Sequence, residues 1–111
     1  MISLTQMILP VAIFLGQAAA YAGDMTYYYP GLGSCGNTNG NGDPVVALSP
    51  LEHAGSCGRM INIHYAGHTT SAIVVDTCPG CASGSIDVSP TVFNQLSDPA
   101  AGRVQVTWEF A

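Results

Sequence analysis

Short apolar or alternating runs, each bounded by glycine, proline, asparagine or serine, follow one another along residues 23–111. No run keeps a 3.6-residue apolar stripe for three helical turns, so the pattern favours strands over long helices. The predicted strands are 25–29, 45–48, 59–65, 72–75 and 103–110. Ser-Pro pairs open two short predicted helices, Pro50–His53 and Pro90–Leu96. The pattern predicts an all-β barrel or sandwich with small helical connections.

The chain also repeats itself. Residues 48–50 (Leu-Ser-Pro) are matched 40 positions later by residues 88–90 (Val-Ser-Pro). Each copy is followed by a helix-like turn and then by Gly-Arg, an apolar residue and an alternating strand, starting at Gly58 and at Gly102. Because neither half can bury an apolar face alone, we expect a small barrel with an approximate two-fold axis.

The N-terminus differs from the rest of the chain. An apolar run over 7–15 is too short to span a bilayer, and small residues follow it at 18–20 and 22. This order is typical of a secretory signal peptide, although residues 1–6 carry no Lys or Arg. We predict a signal peptide over 1–22, one domain over 23–111 and a secreted, extracellular protein that leaves the membrane on cleavage. Cleavage is predicted after Ala22, with Ala20 as the second candidate.

Charge narrows the choice of partner. The 111 residues include seven acidic and two basic side chains, for a net charge of −5. The two cations, Arg59 and Arg103, cannot form the basic stripe that displaces counterions from a polyanion. We therefore expect no nucleic-acid partner, and we expect a monomer.

Four cysteines (35, 57, 78 and 81) lie in the predicted mature chain, where an oxidising compartment favours disulfides. Three connectivities are possible, and we favour Cys35–Cys57 with Cys78–Cys81. A thioredoxin-type redox pair is disfavoured because no βαβ unit surrounds Cys78–Cys81. A four-cysteine zinc site is disfavoured because it lacks a second close pair. His64 and His68 lie on either side of a turn with no acidic or cysteine ligand near them, so we predict no metal site, and we predict no cofactor.

Two carboxylates are candidates for chemistry. Asp76 ends the most apolar predicted strand, Asp87 lies 11 residues later, and the loop between them holds Cys78 and Cys81. Apolar surroundings favour the neutral form of a carboxyl group, which suits a general acid or a donor to a sugar oxygen. The alternative is that each aspartate only caps a turn.

Aromatic side chains cluster in the first predicted strand. Thr26, Tyr27 and Tyr28 lie there, and Trp108 lies in the last strand. Flat aromatic faces beside polar groups can hold sugar rings, whereas the alternative is ordinary packing within a sheet. There is no G-x-S-x-G, Walker or dinucleotide-binding motif.

These motifs resemble a known family. The segment VVDTCPGCASGSIDVSPTVF (74–93), with GDMTYYYPG, GSCG and VVALSP before it, is similar to the six-stranded double-psi β-barrel of expansins, barwin-like proteins and rare-lipoprotein-A-like proteins. Small single-domain expansin-like proteins of fungi, the loosenins, resemble it most, over essentially residues 23–110. The resemblance implies two disulfides, paired as favoured above.

The resemblance also implies a site. Thr26, Asp76 and Asp87 would form the polar floor of an open groove for cell-wall glucan, cellulose or chitin, with wall loosening most dependent on Asp87. Two positions depart from the family pattern. Cys78 stands where bacterial expansins have a groove aromatic, and Pro30 stands at the best match to the catalytic base of the related endoglucanases.

We therefore expect a non-hydrolytic, expansin-like protein that binds and loosens cell-wall polysaccharide. One alternative is a weak endoglucanase or lytic transglycosylase. The other is a protease inhibitor or host-directed effector of barwin type, whose partner would be a protease or a host protein.

Overall fold

The computed structural model describes residues 20–111, so the predicted signal peptide lies outside the described residues except for its last three positions. Six strands close into a barrel in the spatial order β1-β5-β2-β4-β3-β6. The strands are β1 (Tyr21–Tyr27), β2 (Val45–Leu48), β3 (Met60–Tyr65), β4 (His68–Thr77), β5 (Ile86–Val88) and β6 (Val104–Phe110). The connections include α1 (Pro50–His53), α2 (Pro90–Leu96) and a 3₁₀ turn, Pro99–Ala101. The predicted barrel is confirmed.

The two halves of the sequence repeat are two halves of this barrel. If β1 is exchanged with β4, β2 with β5 and β3 with β6, every strand keeps the same two kinds of neighbour. The result is the same ring read in the opposite direction. The strand directions follow the same rule, since β1–β5 and β2–β4 are parallel, whereas β2–β5 and β3–β6 are antiparallel. The Ser-Pro pairs occupy equivalent places at the ends of β2 and β5. An approximate two-fold axis therefore relates the halves, as the repeat predicts.

Glycines allow two backbone segments to cross closely beside β1. A Cβ on Gly23 would lie 2.5 Å from the carbonyl carbon of Gly84. A Cβ on Gly84 would lie 2.2 Å from the carbonyl oxygen of Ala22, and Gly84 also has a positive φ of 82°. Side chains larger than hydrogen cannot be accommodated at either position without backbone movement. This crossing fixes the loop before β5 against the start of β1.

The barrel interior is filled by apolar side chains from all six strands and from α2. The largest fully buried members are Trp108, Phe93, Met25, Leu48, Ile61, Ile63 and Ile86. Trp108 is 0% exposed, stacks on Tyr21 with ring centroids 4.3 Å apart and donates its Nε1 hydrogen to the Gly84 carbonyl oxygen at 2.9 Å. Its one polar atom is thus satisfied within the core, as a buried indole requires.

Both predicted disulfides are confirmed: Cys35 bonds Cys57, and Cys78 bonds Cys81. The first joins the segment after β1 to the segment after α1. The second closes a four-residue turn just after β4.

The predicted elements differ from the observed ones mainly at strand starts. Both helices have the predicted bounds, whereas β1 begins at Tyr21 and β4 at His68, each four residues earlier than predicted. The pattern missed β5, because three residues with an aspartate in the middle carry no periodic signal. Neither helix within residues 20–111 has the length and apolar composition that a membrane span needs.

Candidate functional site

The candidate site forms where β1 and β5 run side by side. These strands are parallel, and their register places Thr26 directly beside Asp87. The Thr26 hydroxyl donates a hydrogen bond of 3.0 Å to the Asp87 carboxylate. Successive side chains of a strand point to opposite faces, so Asp24 and Thr26 share one face of β1. The site thus begins as a row of polar side chains on one face of the barrel.

Asp87 is half-buried among apolar neighbours. Ile86 and Val88, which precede and follow it, are fully buried. Burial raises the pKa of Asp87, although the hydrogen bond from Thr26 and the positive charge of Arg103 oppose the increase, and the negative charge of Asp76 adds to it. Desolvation disfavours the charged form of a carboxyl group, which explains the direction. Asp87 therefore keeps its proton to a higher pH than an exposed aspartate.

The Asp76 carboxylate forms hydrogen bonds with the backbone. Its Oδ1 accepts hydrogen bonds from the Ser34 amide at 2.9 Å and from the Thr77 amide at 2.8 Å. The Ser34 and Thr77 hydroxyl oxygens also lie 2.9 Å apart. Asp76 thus fits the turn-capping alternative, whereas Thr26 is the only donor among the described residues that reaches the carboxylate of Asp87.

Tyr28 is the tyrosine on which the negative charges of both Asp76 and Asp87 act. Its hydroxyl is buried and has no hydrogen-bond partner among residues 20–111. Burial raises the pKa of Tyr28 to about 12, and the negative charges of Asp76 and Asp87 contribute to that increase. The phenol therefore stays protonated and keeps a hydrogen to donate.

A cavity of about 220 Å³ extends from Thr26 along the same face. Its polar lining comes from Asp24, Thr26, Ser85 and Arg103, and the Cys78–Cys81 disulfide forms one wall. The guanidinium of Arg103 pairs with the Asp24 carboxylate at 2.9 Å, and the side-chain amide of Gln105 donates to the same carboxylate. Asp24 is thus neutralised at the edge of the cavity. We refer below to the surface formed by Asp24, Thr26, Tyr28, Asp87 and Arg103 as the groove.

The loop before β5 is fixed by hydrogen bonds to Glu52, a residue that the sequence did not indicate. Glu52 of α1 accepts hydrogen bonds from the Ser83 hydroxyl and the Gly84 amide, both at 2.8 Å. The amide of Cys78 donates to the Leu48 carbonyl oxygen at 2.7 Å. A glutamate in the first turn of a short helix gives no sequence signal of such a contact 32 residues away.

Two residues predicted to bind sugar lie elsewhere. Trp108 is in the core, so neither face of its indole is accessible to a sugar ring. Tyr27 points to the other side of β1 from Thr26, packs on Phe93 of α2 at 4.9 Å and donates its hydroxyl hydrogen to the Pro99 carbonyl oxygen. Strand packing, the alternative interpretation, fits both positions. The aromatic residue that does lie beside the carboxylates is Tyr28.

A second depression, of about 540 Å³, is broad and open and includes no residue of the groove. His64 is on its rim, and its Nε2 lies 2.7 Å from a carboxylate oxygen of Glu109. The expectation that no acidic residue lies near His64 is therefore wrong, because strand pairing brings β6 beside β3. His64 Nδ1 lies 2.7 Å from the Thr69 hydroxyl.

One group of potential metal ligands occurs within residues 20–111, formed by Cys35, His53 and Cys57. Both of its sulfur atoms are bonded to each other, so neither is available as a thiolate ligand. His53 Nε2 lies 3.7 Å from one sulfur and 3.8 Å from the other.

Comparison with known proteins places this barrel in a family. No protein-family model matches the sequence. The structure of a Streptomyces papain inhibitor superposes with a TM-score of 0.75 at 30% identity, covering 86% of this chain and 96% of the inhibitor. An EG45-like domain containing protein of Citrus jambhiri is 26% identical over 91% of both chains. The chain belongs to the barwin- and expansin-related family of double-psi β-barrels.

Two fungal members of the family are more similar in sequence but much longer. Allergen Asp f 7 of Aspergillus fumigatus is 38% identical over 79% of this chain and 36% of its own length. Its homolog in Arthroderma benhamiae is 39% identical over 67% of this chain and 28% of its own. The chain thus spans about a third of the length of these two relatives.

Two further solved structures share the fold. A mutant expansin of Clavibacter michiganensis, solved in complex with cellohexaose, has a TM-score of 0.76 at 24% identity over 84% of this chain and 50% of its own. Cerato-platanin 3 of M. perniciosa has a TM-score of 0.61 at 19% identity over 84% of this chain and 94% of its own. The same barrel fold thus occurs in an expansin, a papain inhibitor and a cerato-platanin.

Proposed function

We propose that this protein is secreted and that it binds and loosens cell-wall polysaccharide in the groove, without hydrolysing it. The observation that carries the proposal is the half-buried Asp87 carboxyl group, which is held by Thr26, a residue that lines a polar cavity. The likeness of the barrel to an expansin solved with cellohexaose supports a glycan as the ligand.

The chemistry of the groove suits sugar hydroxyls. Asp87 with a raised pKa can donate a hydrogen bond to a glycosidic oxygen when protonated and accept from a hydroxyl when ionised. Tyr28 adds a half-buried aromatic ring, although its hydroxyl is itself buried. Loosening then amounts to exchanging hydrogen bonds between glycan chains for hydrogen bonds to these side chains.

Within residues 20–111, the carboxylates nearest to Asp87 are already engaged, Asp76 with two backbone amides and Asp24 with Arg103, and this supports a non-hydrolytic mode. Inversion at a sugar needs a carboxylate that activates water as well as a carboxylic acid. Proline at position 30 has no such group, and Asp24 is paired with Arg103 and Gln105. Asp87 alone can protonate or hydrogen-bond an oxygen, but it cannot also generate the nucleophile.

A titration with soluble hexasaccharides tests where the glycan binds. Two-dimensional NMR with cellohexaose and with the corresponding β-1,4-N-acetylglucosamine hexamer should shift the amides of Thr26, Tyr28 and Asp87. Thr107, beside the open depression, should not move. Shifts confined to the open depression would contradict the proposal, and so would the absence of shifts with both sugars.

Protease inhibition is a second candidate, favoured by the 30% identity to the Streptomyces papain inhibitor over almost that whole protein. Two large apolar side chains follow β1 on the surface, Tyr29 at 72% and Leu32 at 75% exposure, in a segment anchored by the Cys35–Cys57 disulfide. Contiguous apolar surface marks protein contacts, and these two side chains would contribute apolar area to such a contact.

An activity assay separates this candidate from the first. Inhibition of papain that saturates, persists in Asp87→Ala and falls at least tenfold in Leu32→Ala would support it. No inhibition at micromolar concentrations, or inhibition lost in Asp87→Ala, would exclude an inhibitory surface at this segment.

A further inference from the structure

We propose that signal peptidase cuts this protein between Ala20 and Tyr21, two residues before the site that the sequence alone favours, so that the mature chain begins with Tyr21. The inference rests on secretion only, and it holds whichever partner the groove binds.

The sequence permits both cuts. A small residue occupies the first and third positions before each of them, Ala20 and Ala18 for one cut, Ala22 and Ala20 for the other. The first cut follows the apolar run more closely, five residues after Leu15 instead of seven. The two cuts differ, however, in the barrel contacts that each would remove.

Tyr21 is an integral part of the barrel. It pairs with Trp108 in the antiparallel β1–β6 ladder, and Ala22 pairs with Thr107. The Tyr21 ring stacks on Trp108 at 4.3 Å with an interplanar angle of 21°, and it meets Phe110 edge-on at 6.0 Å. A cut after Ala22 would remove this ring and expose one face of the core tryptophan.

The same cut would place a charge at the tightest point of the backbone. The new ammonium group would be on Gly23, whose Cα lies against Gly84 at the crossing described above. Gly84 is buried, and the Ala22 carbonyl oxygen that packs on it would be lost. Because Gly23 is half-buried, a charge there loses part of its hydration.

A cut after Ala20 avoids both effects. Ala20 is exposed and lies outside the strands, so its removal breaks none of the β1–β6 pairs. The ammonium group of Tyr21 would then lie at the first residue of β1, at the end of the strand. The complete seven-residue strand is retained.

The intact mass of the secreted protein tests the proposal. The full precursor is expressed in a secreting yeast, and the purified product is measured by mass spectrometry. We expect the mass of the chain that begins at Tyr21. A chain that begins at Gly23, which is lighter by one tyrosine and one alanine residue, would overturn the proposal, and so would an uncut precursor.

Thermal unfolding tests its physical basis. Tyr21→Ala in the same precursor should lower the Tm by roughly 5–15 °C, because the core loses a stacked aromatic ring. The matched control, Tyr29→Ala, removes a ring that is 72% exposed and should change the Tm by less than about 2 °C. Equal Tm values for the wild type and Tyr21→Ala would show that the barrel does not need this residue, against the proposal. Neither measurement depends on glycan binding, so the two proposals can fail separately.

Discussion

Across the parallel pair of β1 and β5, the hydroxyl of Thr26 donates a hydrogen bond of 3.0 Å to the carboxylate of Asp87. One donor holds the carboxyl group while its other lone pairs remain available to a ligand. Asp76 differs from Asp87, because its carboxylate accepts two backbone hydrogen bonds.

Asp87 should make the protein less stable as the pH rises. Its folded-state pKa is above the unfolded value, so the folded state retains the proton longer, and stability is lost as the pH rises from the unfolded pKa through the folded one. Asp87→Asn cannot ionise. The variant should therefore gain stability relative to the wild type between about pH 4 and neutral pH. Urea unfolding at a series of pH values measures the difference, and a difference that shrinks as the pH rises would contradict the shift.

Tyr28 should ionise only in strongly alkaline solution, near pH 12. Alkaline titration followed at 295 nm should contain a component near pH 12 that disappears in Tyr28→Phe. Asp87→Asn should move that component to lower pH, because the aspartate's negative charge contributes to the raised pKa of the phenol. If Tyr28→Phe leaves the late component in place, the hydroxyl is not buried beside the two carboxylates.

The crossing at Gly23 should not tolerate a methyl group. Gly23→Ala places a Cβ 2.5 Å from the Gly84 backbone, and relief of that overlap should cost roughly 1–3 kcal/mol of unfolding free energy. Gly80→Ala is the matched control, because a Cβ there meets nothing within 4 Å. Denaturant unfolding of both variants checks this, and equal stabilities would mean that the two segments do not cross so closely.

Removal of the two disulfides should have different effects, one mainly on stability and the other mainly on glycan binding. Removing Cys35–Cys57 as the double alanine variant should cost about 3 kcal/mol, since it closes a loop of 22 residues, whereas removing Cys78–Cys81 should cost less than about 2 kcal/mol. Only the second forms a wall of the groove, so only its loss should weaken glycan binding in a protein that stays folded. Calorimetric unfolding and a glycan pull-down on both variants make the comparison.

Periodicity predicted the elements whose signal is local. The Ser-Pro pairs located both helices, and the repeat of Ser-Pro and Gly-Arg indicated the two-fold arrangement of the barrel. β5 was not predicted, because Ile86–Val88 is too short to show a periodic pattern. The start of β1 was not predicted, because Tyr21 and Ala22 resemble the end of a signal peptide.

The sequence indicated individual residues of the site, but it did not indicate the contacts between residues far apart in the chain. Asp87 was a candidate from its place in the sequence, and the resemblance added Thr26. Pairing of β1 with β5 brings the two together. Trp108 was considered for sugar binding because of its aromatic ring, but alternation in β6 places it on the apolar face with Val106, and that face is the core. Glu52 and the Asp24–Arg103 pair depend on contacts 31 to 79 residues apart, which no local pattern encodes.

The most direct test is a sedimentation assay on insoluble cellulose and chitin that measures both bound protein and released reducing sugar. Asp43→Ala is the matched control, because it removes the same charge from an exposed turn. Wild type and Asp43→Ala should bind without releasing sugar, and Asp87→Ala should bind roughly tenfold or more weakly. Binding unchanged in Asp87→Ala would contradict the groove, and sugar release that Asp87→Ala abolishes would contradict the non-hydrolytic mode.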